Sequence, residues 1–386
     1  MGNLKSRRDF IKKSVAAGIA IPFLGSSLLA CQPEKSKKLK ILILGGTSFL
    51  GPHQIAYALK RGHSVSIFTR GKTKSTVHQK LFDKVEHLIG DRNDNLTALE
   101  KGEWDVVIDN SGRNVQWTTD TAELLKNRAK LYMYTSSTGV YYPYLGDNIT
   151  EEAATLTKEP ETLENENEKL EYWYGVMKTN SENAAINAFG KDRTIIARPT
   201  YMFGPGDKTN RFIHWPVRLA KGGDVLVPGK KDDLVQYADV RDVAEFMIRL
   251  AENKTTGKFN IAGPAEQQTM FHFVNEAKDT FNVDTNLVAI DDYDFLEKNG
   301  VYYLVPWIPP IGKNYGSSRI ANKKAIAAGL TFRDLKTSIK EMHDWWYSDA
   351  ITQEQRDSFE KDPKGILTIE KELLKKWKTA TTKKQQ

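Results

Sequence analysis

The chain has little of what several protein classes require. Its 386 residues include one cysteine, Cys31, so no internal disulfide forms, and a structural zinc site built on thiolates is not supported. Its longest apolar stretch near the front, from Val15 to Leu24, is interrupted by Gly18 and Pro22 and falls short of the roughly 20 residues a bilayer-spanning helix needs. An excess of charge is also missing. The formal balance is +7, and more than half of it comes from Lys5, Arg7, Arg8, Lys12 and Lys13 set against Asp9 alone. Much of the rest lies in the tail from Lys375 to Lys384, which leaves a body close to neutral and argues against a nucleic-acid partner. No internal repeat and no His/Cys/Asp cluster with metal-ligand spacing is found, so no metal is expected. What is present is 40% hydrophobic and 10% aromatic composition, enough for a substantial buried core.

The first 30 residues read as an address, not as fold. A charged segment is followed by the apolar stretch and then by Leu28-Leu29-Ala30-Cys31. Ser6-Arg7-Arg8-Asp9-Phe10-Ile11-Lys12 resembles a twin-arginine signal, and the Leu-Leu-Ala-Cys segment resembles a bacterial lipobox whose cysteine is acylated after cleavage. Their order implies an exported lipoprotein handled by the twin-arginine translocase and held to a membrane, on the periplasmic or outer-membrane side, by a lipid on Cys31. Residues 31–38 then serve as a polar tether.

The body alternates strands and helices. Lys40 to Leu44 is a short continuous apolar run, suited to a strand buried on both faces, and Pro52 to Lys60 has helical spacing ending at Gly62. Further strands are expected at Ser64 to Phe68, Val85 to Ile89, Val106 to Ile108, Leu131 to Tyr134 and Thr194 to Ala197. That alternation predicts an α/β fold of the Rossmann type, a doubly wound parallel sheet over residues 39–200. Beyond Pro199 the pattern loosens, with helices expected at Arg241 to Glu252, Phe271 to Thr280 and Leu335 to Trp346. Residues 201–348 are read as a smaller substrate-binding lobe intertwined with the first domain, and 349–386 as a helical, basic tail. The stretch from Glu151 to Glu171 holds eight glutamates and two lysines and reads as a solvated acidic loop.

Three features carry chemistry. Gly45-Gly46-Thr47-Ser48-Phe49-Leu50-Gly51 joins the first strand to the first helix, where backbone N–H groups and the helix dipole can hold a dinucleotide pyrophosphate. After the second strand, where an acidic residue would bind the ribose of NAD, stands Thr69-Arg70-Gly71-Lys72, whose cations suit a 2′-phosphate and tilt the choice from NAD toward NADP. Asp91 follows the third strand, near the expected adenine edge. Tyr174 and Lys178 lie one helical turn apart. A lysine ammonium beside a phenol favours phenolate and makes tyrosine usable as an acid/base near neutral pH. Ser137, at the end of the fifth strand, stands where ligands of such sheets bind.

Together with Tyr134 to Tyr141, Arg198-Pro199, Phe203 to Asp207 and Asp239 to Ala244, these segments resemble the extended short-chain dehydrogenase/reductase superfamily, specifically the NAD-dependent epimerase/dehydratase family, from about Lys40 to Trp346. The resemblance implies a proton-transferring Tyr174, a ribose-binding Lys178 and a substrate-positioning Ser137. It also implies a cofactor turn using Gly45, Thr47, Ser48, Phe49, Leu50 and Gly51, with Ser48 in place of the family's middle glycine. Where relatives acting on nucleotide sugars place an arginine, this chain has Val235, which disfavours a substrate diphosphate. Asp207, Arg211, His214 and Trp215 are the candidate contacts to a carbohydrate-like substrate, while Trp307, Trp345 and Trp346 read as core. The expected activity is that of an exported NAD(P)-dependent epimerase/dehydratase or dehydrogenase with a tightly bound, internally recycled cofactor. Alternatives are an NADPH-dependent reductase and a non-catalytic nucleotide- or RNA-binding member of the fold; a homodimer is compatible with each.

Replacing both Arg7 and Arg8 by lysine is expected to trap a full-length precursor in the cytoplasm, and Cys31→Ala to abolish acyl labelling. Fractionation of the wild type as a soluble, unlipidated cytoplasmic protein would overturn the export reading.

Overall fold

The computed structural model describes residues 38–110, 112–163 and 165–384; the proposed signal, Cys31 and nearly all of the tether lie outside the described residues. The elements run β1 (Lys40–Leu44), α1 (Leu50–Lys60), β2 (Ser64–Thr69), β3 (Glu86–Ile89), β4 (Trp104–Asp109), α2 (Val115–Leu125), β5 (Ala129–Thr135), α3 (Glu166–Phe189) and β6 (Thr194–Pro199). Next come β7 (Met202–Phe203), α4 (His214–Leu219), β8 (Gly223–Pro228), β9 (Leu234–Asp239), α5 (Val240–Asn253), β10 (Gly257–Ile261), β11 (Gly263–Thr269), α6 (Met270–Lys278) and β12 (Thr285–Ile290). Two short helices, α7 (Tyr293–Lys298) and α8 (Lys323–Ala327), precede α9 (Leu335–Trp346), α10 (Gln353–Glu360) and α11 (Ile366–Lys384).

Seven parallel strands form the main sheet in the order β10-β6-β5-β4-β1-β2-β3. The chain starts at β1, winds outward through β2 and β3, then crosses back to β4 on the other side of β1. That reversal opens a crevice at the carboxyl ends of β1 and β4, the place where doubly wound sheets bind ligands. Ile41, Leu42, Ile43 and Leu44 are all fully buried, which explains why β1 reads as a continuous apolar run: helices cover both faces. Ile41 and Ile43 join α1 and α5 in one core, and Leu42 and Leu44 join the opposite one.

A second core gathers Phe203, Phe212, Trp215, Phe273, Trp307, Leu335 and Trp346 around β8, β9, α6 and α9. The tail is less of a tail than its composition suggests. Leu373 of α11 is buried in this core, and the Glu370 carboxylate accepts from Leu226 N and pairs with Arg218. The acidic stretch also departs from a uniformly solvated loop. Glu151 Oε1 accepts from Asn260 N at 2.8 Å, and the buried Glu168 pairs with Lys313, because chain segments far away in sequence supply donors that composition does not reveal.

One buried ion pair ties the sheet to the long helix. Arg198 of β6 and Glu182 of α3 are 0% and 2% exposed in their side chains and bond through two guanidinium nitrogens, at 2.8 and 2.6 Å. Ser136 Oγ donates to the same carboxylate, and Arg198 also donates to Tyr141 Oη, which in turn donates to Asn260 Oδ1. Removing one partner strands the other charge in the interior. Arg198→Leu or Glu182→Leu is therefore expected to cost about 3–5 kcal/mol in urea unfolding, with the double variant recovering part of the loss. A single-variant loss below about 1 kcal/mol, typical of an exposed pair, would show that the pair is not structural.

Candidate functional site

The turn from Gly45 to Gly51 is shaped by close backbone packing. Gly45 has φ +82°, a left-handed conformation that favours glycine, and any Cβ on Gly51 would collide with the backbone of Gly46. The start of α1 therefore lies directly against the end of β1. No acidic residue occupies the first turn of α1, which leaves its amide dipole free to face an anion. A cleft of about 420 Å³ opens over this turn, lined among others by Gly45, Thr47, Ser48, Arg70, Asp91 and Lys208. Phe49 and Leu50 do not line it: Leu50 is in the core and Phe49 packs against that core.

A buried polar cluster lies beneath the cleft. Arg92 bonds both oxygens of the buried Asp109, at 2.8 and 3.0 Å, and Asp109 Oδ2 also accepts from Tyr132 Oη and Thr118 Oγ1. Asp91 accepts from the Asn93 backbone N–H at 3.0 Å; this bond, helped by the charges of Arg70 and Lys72, holds its carboxyl below the usual aspartate range. Asp91 is thus an ionised acceptor between two cations. Gly45 and Gly51 leave room for close approach, and the turn, the acceptor and the cations match the parts of a nicotinamide dinucleotide, so the residues fit such a cofactor.

Past the end of β5, the structure brings the three remaining candidates together. Ser137 caps a short 3-10 turn, Thr138–Tyr141, by accepting from Gly139 N at 3.1 Å. A Cβ on Gly139 would stand 2.8 Å from Tyr174 Cε1 and 3.4 Å from Ser137 Oγ, and one on Gly175 would stand 2.6 Å from Gly139 O. Two glycines thus let α3 press against the turn and set the Tyr174 ring beside Ser137. Lys178 is buried, donates to Thr135 O at 2.9 Å, and has its Nζ 5.9 Å from the Tyr174 ring centroid and 5.0 Å from that of Tyr134. Burial opposes its charge, but the phenols of Tyr134 and Tyr174 outweigh that and hold the ammonium above the ordinary lysine range.

The candidate substrate residues divide. Arg211 is exposed, with its guanidinium 5.3 Å from the Tyr201 ring centroid, on the same side as Tyr174 and Glu171. Burial raises the Tyr201 phenol to about 12 and lifts the Glu171 carboxyl, the latter against the pull of Arg211. Asp207 is buried and closes its own loop, with Oδ1 accepting from Thr209 N and Oγ1 at 2.8 and 2.7 Å. His214 and Trp215 need correction. Both are buried on α4: Trp215 Nε1 donates to Val305 O at 2.7 Å, and burial drives the His214 imidazole down to about 3, so it stays neutral. They are packing residues of the second core, because α4 is covered on every side. Glu171, one helical turn before Tyr174 on α3, was legible from spacing alone and missed; Lys208 carries no signal in the sequence.

The comparisons agree with this geometry. The model of the NAD dependent epimerase/dehydratase family matches residues 41–262, more than half of the chain. A curated relative in Arabidopsis thaliana, the chloroplast stem-loop binding protein of 41 kDa b, is 30% identical over 245 residues, which are 59% of this chain and 60% of that protein. The match thus spans about three fifths of the relative's length. Among solved structures, the Bordetella bronchiseptica enzyme WbmG in complex with NAD and UDP is similar at a TM-score of 0.56 and 17% identity, over 83% of this chain and 97% of that one. UDP-N-acetylglucosamine 4-epimerase from Methanobrevibacter ruminantium is similar at 0.57 and 16%, over 80% and 98%. At such identities these two support the fold alone. The family match over β1 to β10, on a sheet and turn of this form, settles the assignment: the chain belongs to the NAD dependent epimerase/dehydratase family.

Proposed function

We propose that this protein is an NAD(P)-dependent epimerase, dehydratase or internal redox isomerase acting on a hydroxyl or keto carbon of a carbohydrate-like substrate. The observation that carries the reading is the placing of Ser137 and Tyr174 together at Gly139, with Lys178 one helical turn on and bonded to Thr135 O, beside the crevice at the sheet's switch point. The turn from Gly45 to Gly51 would hold the pyrophosphate, Asp91 the adenosine end, Lys178 the ribose beside the nicotinamide, and Arg70 with Lys72 a 2′-phosphate where NADP is the dinucleotide. A nicotinamide supplies hydride acceptance and return.

The chain's own groups move and hold the proton. Tyr174 Oη, as phenolate, takes the proton of the substrate hydroxyl and becomes a neutral phenol, and the Lys178 ammonium stabilises the phenolate that exists before that transfer and again once the proton has been returned. Ser137 Oγ already accepts from Gly139 N–H, so its hydroxyl hydrogen is the part left to donate to the substrate oxygen as charge develops there. Val235, standing where nucleotide-sugar relatives have an arginine, is buried in the second core. With no cation at that position, a sugar without a diphosphate is the better match. The signal-like front segment adds a reason for internal recycling. A protein exported in folded form meets no evident supply of reduced nicotinamide, so the cofactor loaded beforehand must return to its starting oxidation state in each cycle.

Candidate sugars supplied without added NAD(P)(H) are expected to turn over with bound nicotinamide absorbance returning to its starting value. Tyr174→Phe is expected to keep cofactor but lose a factor of about 10²–10⁴ in rate. A requirement for stoichiometric external NAD(P)H, or an undiminished Tyr174→Phe rate, would refute the scheme.

A further inference from the structure

Lys208 stands about 160 residues beyond the phosphate turn in sequence, outside the main sheet, yet it lines the same cleft as Gly45, Thr47 and Ser48. The backbone that carries it is fixed. Gly204 and Gly206 have φ of +135° and +94°, so the chain turns sharply on either side of Pro205. A Cβ on Gly204 would press on Val240 Cγ1 at 2.9 Å, and one on Gly206 would lie 3.3 Å from Val77 and 3.9 Å from Phe49. Pro205 O bonds His53 Nε2 at 2.8 Å, and His53 Nδ1 bonds His78 at 3.1 Å. Burial lowers the His53 imidazole to about 4, so at neutral pH it is uncharged and its Nε2–H can donate to that carbonyl. Finally, Asp207 accepts from Thr209 on the far side of Lys208.

Residues 204–209 thus form a strap fastened to α1, the helix whose start faces the cleft. Lys208 has no carboxylate within ion-pair distance among the described residues. Arg70 and Lys72 sit elsewhere on the rim, after β2, where a ribose 2′-substituent would lie.

We propose that Lys208 is a cofactor-binding residue, its ammonium closing over the turn from Gly45 to Gly51 and neutralising the pyrophosphate of the bound dinucleotide. The inference rests on the reading that this cleft takes NAD(P). The pyrophosphate is thereby held between backbone amides below and a side-chain cation above. Because His53 and the two glycines set the strap in advance, little ordering is needed when the dinucleotide binds. Release then requires breaking the Lys208 contact or shifting the strap, which suits a cofactor kept through many turnovers.

The test titrates NAD⁺, NADP⁺ and ADP-ribose into the full-length chain and its Lys208→Ala, Lys208→Gln and Lys208→Arg variants by calorimetry, with thermal unfolding as the check on folding. Alanine and glutamine are expected to weaken all three ligands by about tenfold and by a common factor, while arginine retains affinity. Nucleotide carried through purification should fall in the same two variants. Unchanged affinity in Lys208→Ala, or a loss confined to NADP⁺, overturns the inference while the cofactor reading stands. Failure of the wild type to bind any of the three removes the cofactor reading and this inference with it.

Discussion

The contact on which the site depends is the buried pair between Arg198 and Glu182. Taking both charges out of water costs several kcal/mol per ion even after relaxation, so the pair persists only where every polar atom around it is answered. Here the answers come from four parts of the chain: Ser136 at the end of β5, Tyr141 on the following turn, the Glu151 carbonyl and, through Tyr141, Asn260 on β10. Sliding α3 by one residue along the sheet would break several of these bonds at once. The register that puts Tyr174 beside Ser137, and Lys178 under Thr135 O, is therefore set by a polar network that need not touch substrate.

Glycine supplies the complementary constraint. At Gly46 and Gly51 it lets the first helix meet the first strand, and at Gly139 and Gly175 it lets α3 meet the turn after β5. Both contacts lie at the carboxyl edge of the sheet. Gly51 meets the backbone of Gly46 and Gly175 the carbonyl of Gly139, while a Cβ on Gly46 or Gly139 would strike the side chains of Ile67 and Tyr174, so both sides of the crevice are built by leaving Cβ out where elements approach closely. The buried Arg92–Asp109 pair lies under the cleft as Arg198–Glu182 lies under the turn that holds Ser137.

The second core has its own charged fastening. Arg218 on α4 meets Glu370 on α11 and the carbonyls of Gly222 and Asp224, joining the C-terminal helix to the substrate lobe. A helix that looks like a basic appendage thereby completes a core. The lobe in turn sends one segment, residues 204–209, back to α1 through Pro205 and His53. These polar contacts supplement the apolar core in which α5 packs against α1 and the main sheet.

The sequence by itself determined the parts governed by short-range pattern. The expected strands at Ser64 to Phe68, Val106 to Ile108, Leu131 to Tyr134 and Thr194 to Ala197 fall within β2, β4, β5 and β6, and Leu335 to Trp346 matches α9 in full, because periodicity of apolar residues reports burial directly. The turn from Gly45 to Gly51 was legible because glycine at fixed spacing is a backbone requirement. Only the tertiary structure decided what depends on distant partners. His214 and Trp215 look like polar and aromatic site residues in isolation and are core residues in the fold; Glu151 and Glu168 look solvated and are buried. Lys208 looks like any exposed cation and faces the cleft. For each of these the deciding partner, whether Val305, Asn260, Lys313 or the turn at Gly45, lies far along the chain, and side-chain chemistry alone does not say which distant backbone will arrive beside it.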